Sequence, residues 1–296
     1  GASTMPLRIA VGLCNFTTFL IFFPMNGVLV WVIYKNAMLN KLWAYRIIAN
    51  IAVTDLIVLV VLGTSGFLSV FDFEAPKVVA KICYALSLSF KLTETALCFV
   101  LALNRLFVLV GIGFLNRSGL YRVLITTSWL LGVSVNGFVL FNLPEAAYNP
   151  DHHYFDGVFL YQQSYSQCVS VLQIFVFSAS TVIYVSIGLK LKFQKTSAPK
   201  HEVRLFIQAM LPFVWFLSAE ILFNLKTAID FDENAFSILF MFFSRYVPVL
   251  HVFTYLLLNT LLRREILVFF GIRRKLTVKN KVVQTQILLR LAEVSP

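Results

Sequence analysis

The chain has 296 residues, 59% of them hydrophobic and only 13% charged, with a mean hydropathy of +0.81 and a formal net charge of +11. Soluble domains carry about 25% charged residues, so this composition excludes an ordinary water-soluble fold and points to lipid. The excess of positive charge would suit nucleic acid or an anionic surface, but it lies in short links and a tail between apolar stretches, which excludes nucleic acid and favours a membrane surface.

A helix needs about 20 apolar residues to cross roughly 30 Å of hydrocarbon. Seven segments meet that length: Ile9–Tyr34, Ala44–Val70, Val78–Val110, Tyr121–Asn142, Ser166–Phe193, Val203–Leu225 and Ala235–Leu261. The expected fold is an all-α membrane protein, a seven-transmembrane helix bundle. Residues 1–8 form the amino-terminal segment, 9–261 the membrane domain, 262–274 a surface helix and 275–296 a tail. Gly1–Thr4 precede Met5 and are set aside as an expression remnant. No cleavable signal peptide is evident, so the first span is expected to direct insertion.

The first two spans are joined through Met25–Val60, which places an amide, Asn26, and a carboxylate, Asp55, at membrane depth. Polar groups there are costly and usually mark a functional core. In the third span Ser87, Lys91, Glu94, Cys98 and Arg105 fall within about 40° of one line at 100° per residue. A stripe bearing such charges faces the bundle rather than lipid. Asp55 and Glu94 therefore suggest a shared polar centre able to hold a sodium ion or a proton. A competing arrangement pairs Glu94 with Lys91 one turn away and leaves Asp55 hydrogen-bonded to Asn26.

The longest link, Leu143–Tyr165, is long enough to fold over the mouth of the bundle. Its adjacent His152 and His153, without further ligands, read as loop residues. Cys83 and Cys168 fall near span ends on one side, where an oxidising compartment would join them. Cys14 and Cys98 lie within spans and read as packing residues. The Asn15-Phe16-Thr17 sequon sits too close to the first span to serve as an acceptor.

In the last two spans Glu220 and Arg245 lie in the halves away from the tail. With Ser87 and Lys91 they could line a ligand cavity in which Lys91 and Arg245 hold an anionic head and Trp215, Phe243 and Tyr246 take the apolar part. Glu220 and Arg245 could equally pair with each other. After the seventh span, LLRREILVFFGIRRKL alternates Leu262, Ile266 and Phe269 with Arg263, Arg264 and Arg273, as an amphipathic helix does on a membrane surface.

Orientation follows the lysines and arginines. Of the 25 basic residues, 19 lie in one set of links and the tail, among them Lys41, Arg117, Lys195 and Arg274. The opposite links carry Asp72, Glu74, Glu145, Asp151, Asp156, Asp230, Asp232 and Glu233. The tail is expected in the cytoplasm and the amino terminus outside, in a multi-pass plasma-membrane protein.

Several motifs carry a more specific likeness. Asn26 sits in NGVLV and Asp55 in NIAVTDLI, joined by a basic link. The third span ends in Leu103-Asn104-Arg105-Leu106, the fourth contains Trp129, the fifth Tyr184, and the seventh HVFTY, from His251 to Tyr255. This set resembles the rhodopsin-like G-protein-coupled receptors, most of all the Srx-like nematode serpentine chemoreceptors. Arg105 stands where that family has the arginine of D/E-R-Y, with Asn104 in place of the acid. Tyr255 stands at the tyrosine of N-P-x-x-Y, with His251 and Val252 in place of asparagine and proline. The order of Pro212 and Trp215 is reversed from the family's sixth helix. The resemblance implies a small extracellular ligand and coupling to a heterotrimeric G protein through Arg105, Tyr184 and Tyr255; separately, a membrane domain this rich in phenylalanine (30 residues) is as open to homo- or heterodimers as to a monomer. Ser87 replaces the aspartate of amine receptors, which disfavours a biogenic amine.

Nothing in the sequence suggests an enzyme, since it has no nucleophile elbow, metal-spaced cluster or phosphate-binding glycine loop. Two other classes stay open. One is a seven-span transporter, channel or scramblase, although no internal repeat is visible. The other is a receptor-like protein that does not signal.

Overall fold

The computed structural model describes residues 5–111, 118–143, 145–149, 154–158, 162–193, 200–226, 242–243 and 246–272. Helices dominate, as they must where lipid offers the backbone no hydrogen-bond partner. In chain order they are α1 (Met5–Lys35), α2 (Ala37–Lys41), α3 (Trp43–Phe71), α4 (Lys77–Val110), α5 (Ser118–Asn142), α6 (Gln162–Phe193), α7 (Lys200–Lys226), α8 (Val247–Leu258) and α9 (Thr260–Phe269), with strands β1 (Glu145–Asn149) and β2 (Tyr154–Val158) between α5 and α6. Five of them, α1, α3, α4, α5 and α6, contain stretches long and apolar enough to cross a membrane. Shorter apolar stretches cover Phe206–Ser218 within α7 and Val247–Leu258, the whole of α8. Leu20, Trp31, Val133, Phe175 and Val182 are exposed on the outer faces. Lipid solvates such side chains where water would penalise them.

Local chemistry sets the helix ends. Asn36 caps α2, its Oδ1 accepting from the Met38 amide at 3.0 Å. The Arg46 guanidinium lies over the Trp43 ring, 4.7 Å from its centre, where α3 begins. Helix α4 stops at Gly111, whose left-handed backbone (φ 75°) suits a residue without Cβ. Helix α3 stops at Asp72, also left-handed (φ 55°), and its carboxylate pairs with Arg8 at 2.6 Å. Residues 5–8, expected as part of a free amino-terminal segment, are therefore the first turn of α1.

The tightest seam joins α1 to α3. A Cβ on Gly66 would lie 2.6 Å from the Phe16 amide nitrogen and 2.8 Å from the Gly12 carbonyl oxygen, so the two backbones meet directly. Small residues that admit such close approach are the usual glue between helices where lipid removes the hydrophobic drive. One apolar core gathers Leu29, Ile48, Leu97, Tyr121, Ile187 and Tyr255 toward the basic end of the bundle. A second, toward the acidic end, gathers Val61, Leu68, Cys83, Val139 and Phe155.

Phe155 and Ala146 bring β1 and β2 into that second core, as an antiparallel hairpin in register Glu145↔Val158 to Asn149↔Tyr154. The hairpin lies against α4, with Lys77 and Glu145 paired at 3.1 Å on its exposed side and the Tyr148 hydroxyl bonded to Ser69 Oγ. Apolar anchoring replaces the expected disulfide. Cys83 and Cys168 are both free thiols, the first buried beneath the hairpin and the second on an exposed face of α6. Cys14 and Cys98 are free as well.

The seventh span was expected over Ala235–Leu261; within the described residues α8 ends at Leu258. The cause is Asn259, whose extended backbone breaks the helix and whose Oδ1 accepts from the Leu262 amide at 3.0 Å, capping α9. Leu262 and Ile266 turn inward and the helix rests against α1. The amphipathic segment expected over 262–274 thus begins two residues earlier, while 273–274 lie outside the described residues.

Candidate functional site

Three helices each place one titratable side chain at a common buried point: Asp55 from α3, Glu94 from α4 and His251 from α8. Their exposures are 0%, 4% and 1%, so water contributes little to their solvation. His251 Nδ1 lies 3.0 Å from Asp55 Oδ2, 3.2 Å from Asp55 Oδ1 and 3.8 Å from Glu94 Oε1. The imidazole is thus shared between two carboxylates on different helices. Its ring stacks on Tyr255 one turn later, with centroids 5.8 Å apart and planes 6° from parallel. The Cys98 thiol lies against the same ring. Glu94 Oε1 is buried and accepts no hydrogen bond.

Of the two arrangements open in the sequence, the shared Asp55–Glu94 centre is the one found. Asn26 does not hold Asp55. Its Nδ2 donates to the Phe22 carbonyl in its own helix at 3.1 Å, an i−4 bond available to any amide in α1. The Lys91 ammonium lies over the Phe216 ring, 5.5 Å from its centre, while the Glu94 carboxylate turns toward His251. Sequence reasoning left His251 out of the centre and treated it only as a replacement within HVFTY. A ring nitrogen at membrane depth, one helix turn before Tyr255, was the available signal.

The residues expected to form an outer ligand cavity are largely engaged with the protein itself. Ser87 Oγ donates to the Cys83 carbonyl at 2.8 Å. Trp215 Nε1 donates to the Phe243 carbonyl at 2.8 Å, and its ring packs on Phe242 and Phe243. The Tyr246 hydroxyl lies 3.1 Å from both Asn15 Oδ1 and Cys14 Sγ, tying α1 to the start of α8. Asn15 is fully buried, with α3 packed against its Cβ, and a buried amide is no glycosylation acceptor. Arg245 and the side chain of Glu220 lie outside the described residues. A narrow cavity does open beside Glu94, between α4, α6 and α7, lined by Thr95, Cys98, Phe177, Ser180 and Phe213.

Toward the basic end, Arg105 is buried, and its charge acts on the hydroxyls of Tyr45, Tyr121 and Tyr184. Tyr184 donates to the Ala209 carbonyl at 3.3 Å, joining α6 to α7. Tyr45 donates to Asn259 Oδ1 at 3.2 Å, joining α3 to the α8–α9 corner. Trp129 Nε1 in α5 donates to Asn50 Oδ1 in α3 at 2.8 Å, and Asn50 Nδ2 in turn donates to the Arg46 carbonyl at 2.8 Å. No protein-family model matches this chain, and no curated protein matches it.

Proposed function

We propose that the protein is a G-protein-coupled chemoreceptor of the rhodopsin-like type, closest in character to the nematode serpentine receptors. In this reading seven helices (α1, α3 to α8) cross the plasma membrane with the amino terminus outside. A small extracellular ligand, with an acidic group directed at Lys91 and Arg245, enters from the acidic end. Its binding biases the packing of α6, α7 and α8 around Arg105, Tyr184 and Tyr255, and a heterotrimeric G protein reads that bias at the basic end.

The observation that carries this reading is the bond from Trp129 to Asn50 at 2.8 Å. Asn50 opens the NIAVTDLI motif and Trp129 is the fourth-span tryptophan, so two residues matched separately in sequence meet as partners. Asp55, from the same motif, faces His251 of HVFTY. Both pairs join positions that the likeness singles out in different spans, and this supports the reading.

A second reading, a proton- or ion-translocating membrane protein, is favoured by the same Asp55–His251–Glu94 centre, because ionisable groups in series at membrane depth also mark conduction paths. G-protein activation in cells expressing the chain and its Arg105→Ala variant, with and without candidate acidic small molecules, separates the two. A basal or ligand-driven signal that vanishes in the variant is expected. Equal signal from both at matched surface expression would remove Arg105 from coupling. Ligand-independent proton flux in proteoliposomes, without any G-protein response, would favour the second reading.

A further inference from the structure

We infer that the Asp55–Glu94–His251 centre is a binding site for a divalent transition-metal ion of the zinc class, held between α3, α4 and α8. The site goes beyond the receptor reading and stands whether or not the protein signals. One donor atom from each of the three buried side chains lies within 4.8 Å of the other two.

Geometry and donor chemistry both support it. Ligands about 2.0–2.1 Å from a tetrahedral zinc ion lie about 3.3 Å from one another. His251 Nδ1 already sits 3.0 Å from one Asp55 oxygen and 3.8 Å from Glu94 Oε1, which brackets that edge length. The third edge, between the Asp55 and Glu94 oxygens, is no longer than 4.8 Å and shortens when both carboxylates take the ion. Glu94 Oε1 is buried, has no hydrogen-bond partner and points into the centre, so it offers a lone pair that nothing else uses. Two carboxylates and one imidazole form a mixed oxygen and nitrogen set. Imidazole suits zinc, copper, iron and nickel, whereas magnesium and calcium favour oxygen alone.

The metal would take the Nδ1 lone pair and leave the imidazole proton on Nε2. The fourth position falls to a water in the cavity that Glu94 and Cys98 line together with Thr95 and Ser180. The charges nearest the site along α4 are Lys91, one turn from Glu94 and turned over the Phe216 ring, and Arg105 toward the basic end. The two carboxylates offset the repulsion they exert. The ion would clamp three helices at mid-bundle, where a change in their packing has most leverage.

The test uses the full chain, purified without a polyhistidine tag, in detergent. His152, His153 and His201, the other three of its four histidines, are replaced by alanine to remove background binding. After loading with zinc alone and desalting, metal analysis is expected to find about one ion per chain, retained in excess sodium chloride. Glu94→Gln and His251→Gln each weaken retention by more than the 10–100-fold typical of changes in outer-shell partners. Cobalt loading of the same protein, with Asp55, Glu94 and His251 intact, is read independently of whether those two variants fold. Intense visible bands of tetrahedral cobalt are expected, and the weak bands of octahedral cobalt would overturn the proposal. So would zinc retained equally by both variants, zinc displaced by sodium, or no zinc retained at all.

Discussion

Replacing His251 by leucine removes the imidazole that two buried carboxyl groups share. With the imidazole go the bonds from Nδ1 to both Asp55 oxygens, at 3.0 and 3.2 Å, and the 3.8 Å approach to Glu94, all among side chains no more than 5% exposed. Breaking a buried pair by deleting one member costs about 3–5 kcal/mol, because the survivor stays desolvated and unpaired. At about 2–4 °C per kcal/mol for a chain of this size, the melting temperature should fall by about 6–20 °C. Neutralising the survivors as well, in the triple variant Asp55→Asn, Glu94→Gln, His251→Leu, removes the charges that had no partner. Most of the stability should return, since well-packed replacements of buried ion pairs are often neutral or stabilising. The assay is thermal unfolding in detergent, followed by tryptophan fluorescence, with EDTA present so that metal plays no part. A single variant that melts within about 1 °C of the parent, or a triple variant that melts below the single, would refute the view that His251 holds the two carboxyl groups in place.

Gly66→Ala should cost about 1–3 kcal/mol by forcing α1 off α3, whereas Gly137→Ala, which meets nothing within 4 Å, should be neutral or slightly stabilising in the same assay. Trp129→Phe should lose about 1 kcal/mol; in that background Asn50→Ala should cost less than it does alone, and strict additivity would mean the bond contributes nothing. Alkylation of the denatured chain without reductant should label all four cysteines, as four free thiols require; labelling of only two would restore a disulfide. Asn259→Ala should loosen α9 by about 1 kcal/mol through loss of its cap, seen as faster hydrogen exchange over 260–269.

The long helices were legible because length and hydropathy alone set them: the described ends of α1, α3, α4, α5, α6 and α7 fall within about a turn of those read from the sequence. Asp55 and Glu94 were legible by the same logic, as carboxylates in stretches that should not tolerate them. Their partner was not. His251 is 196 residues from Asp55, and only the packing of α8 against α3 makes them neighbours. Asn26 misled for a local reason, because an amide in a helix can satisfy itself on the carbonyl four residues back. The cysteines misled through position: Cys83 and Cys168 both lie toward the acidic end, yet one is buried under the hairpin and the other faces outward. Ser87, Trp215 and Tyr246, expected to line an outer cavity, make bonds that run to nearby backbone or to α1, contacts that no pattern in the sequence announces.

The seam between α1 and α3 has a consequence for how this sequence can drift. Gly12, Phe16 and Asn15 on one helix and Gly66 and Ser69 on the other fill a shared surface in which an added Cβ on either glycine would come within 2.6 Å of an atom of the partner helix. For Gly12 the obstacle is the Ser69 side chain, which can shrink; for Gly66 it is the backbone of α1, which no substitution removes. Among diverging copies of this chain, Gly66 is expected to stay fixed and Gly12 to change only together with Ser69, whereas Gly119 and Gly137, which face open space, can vary singly.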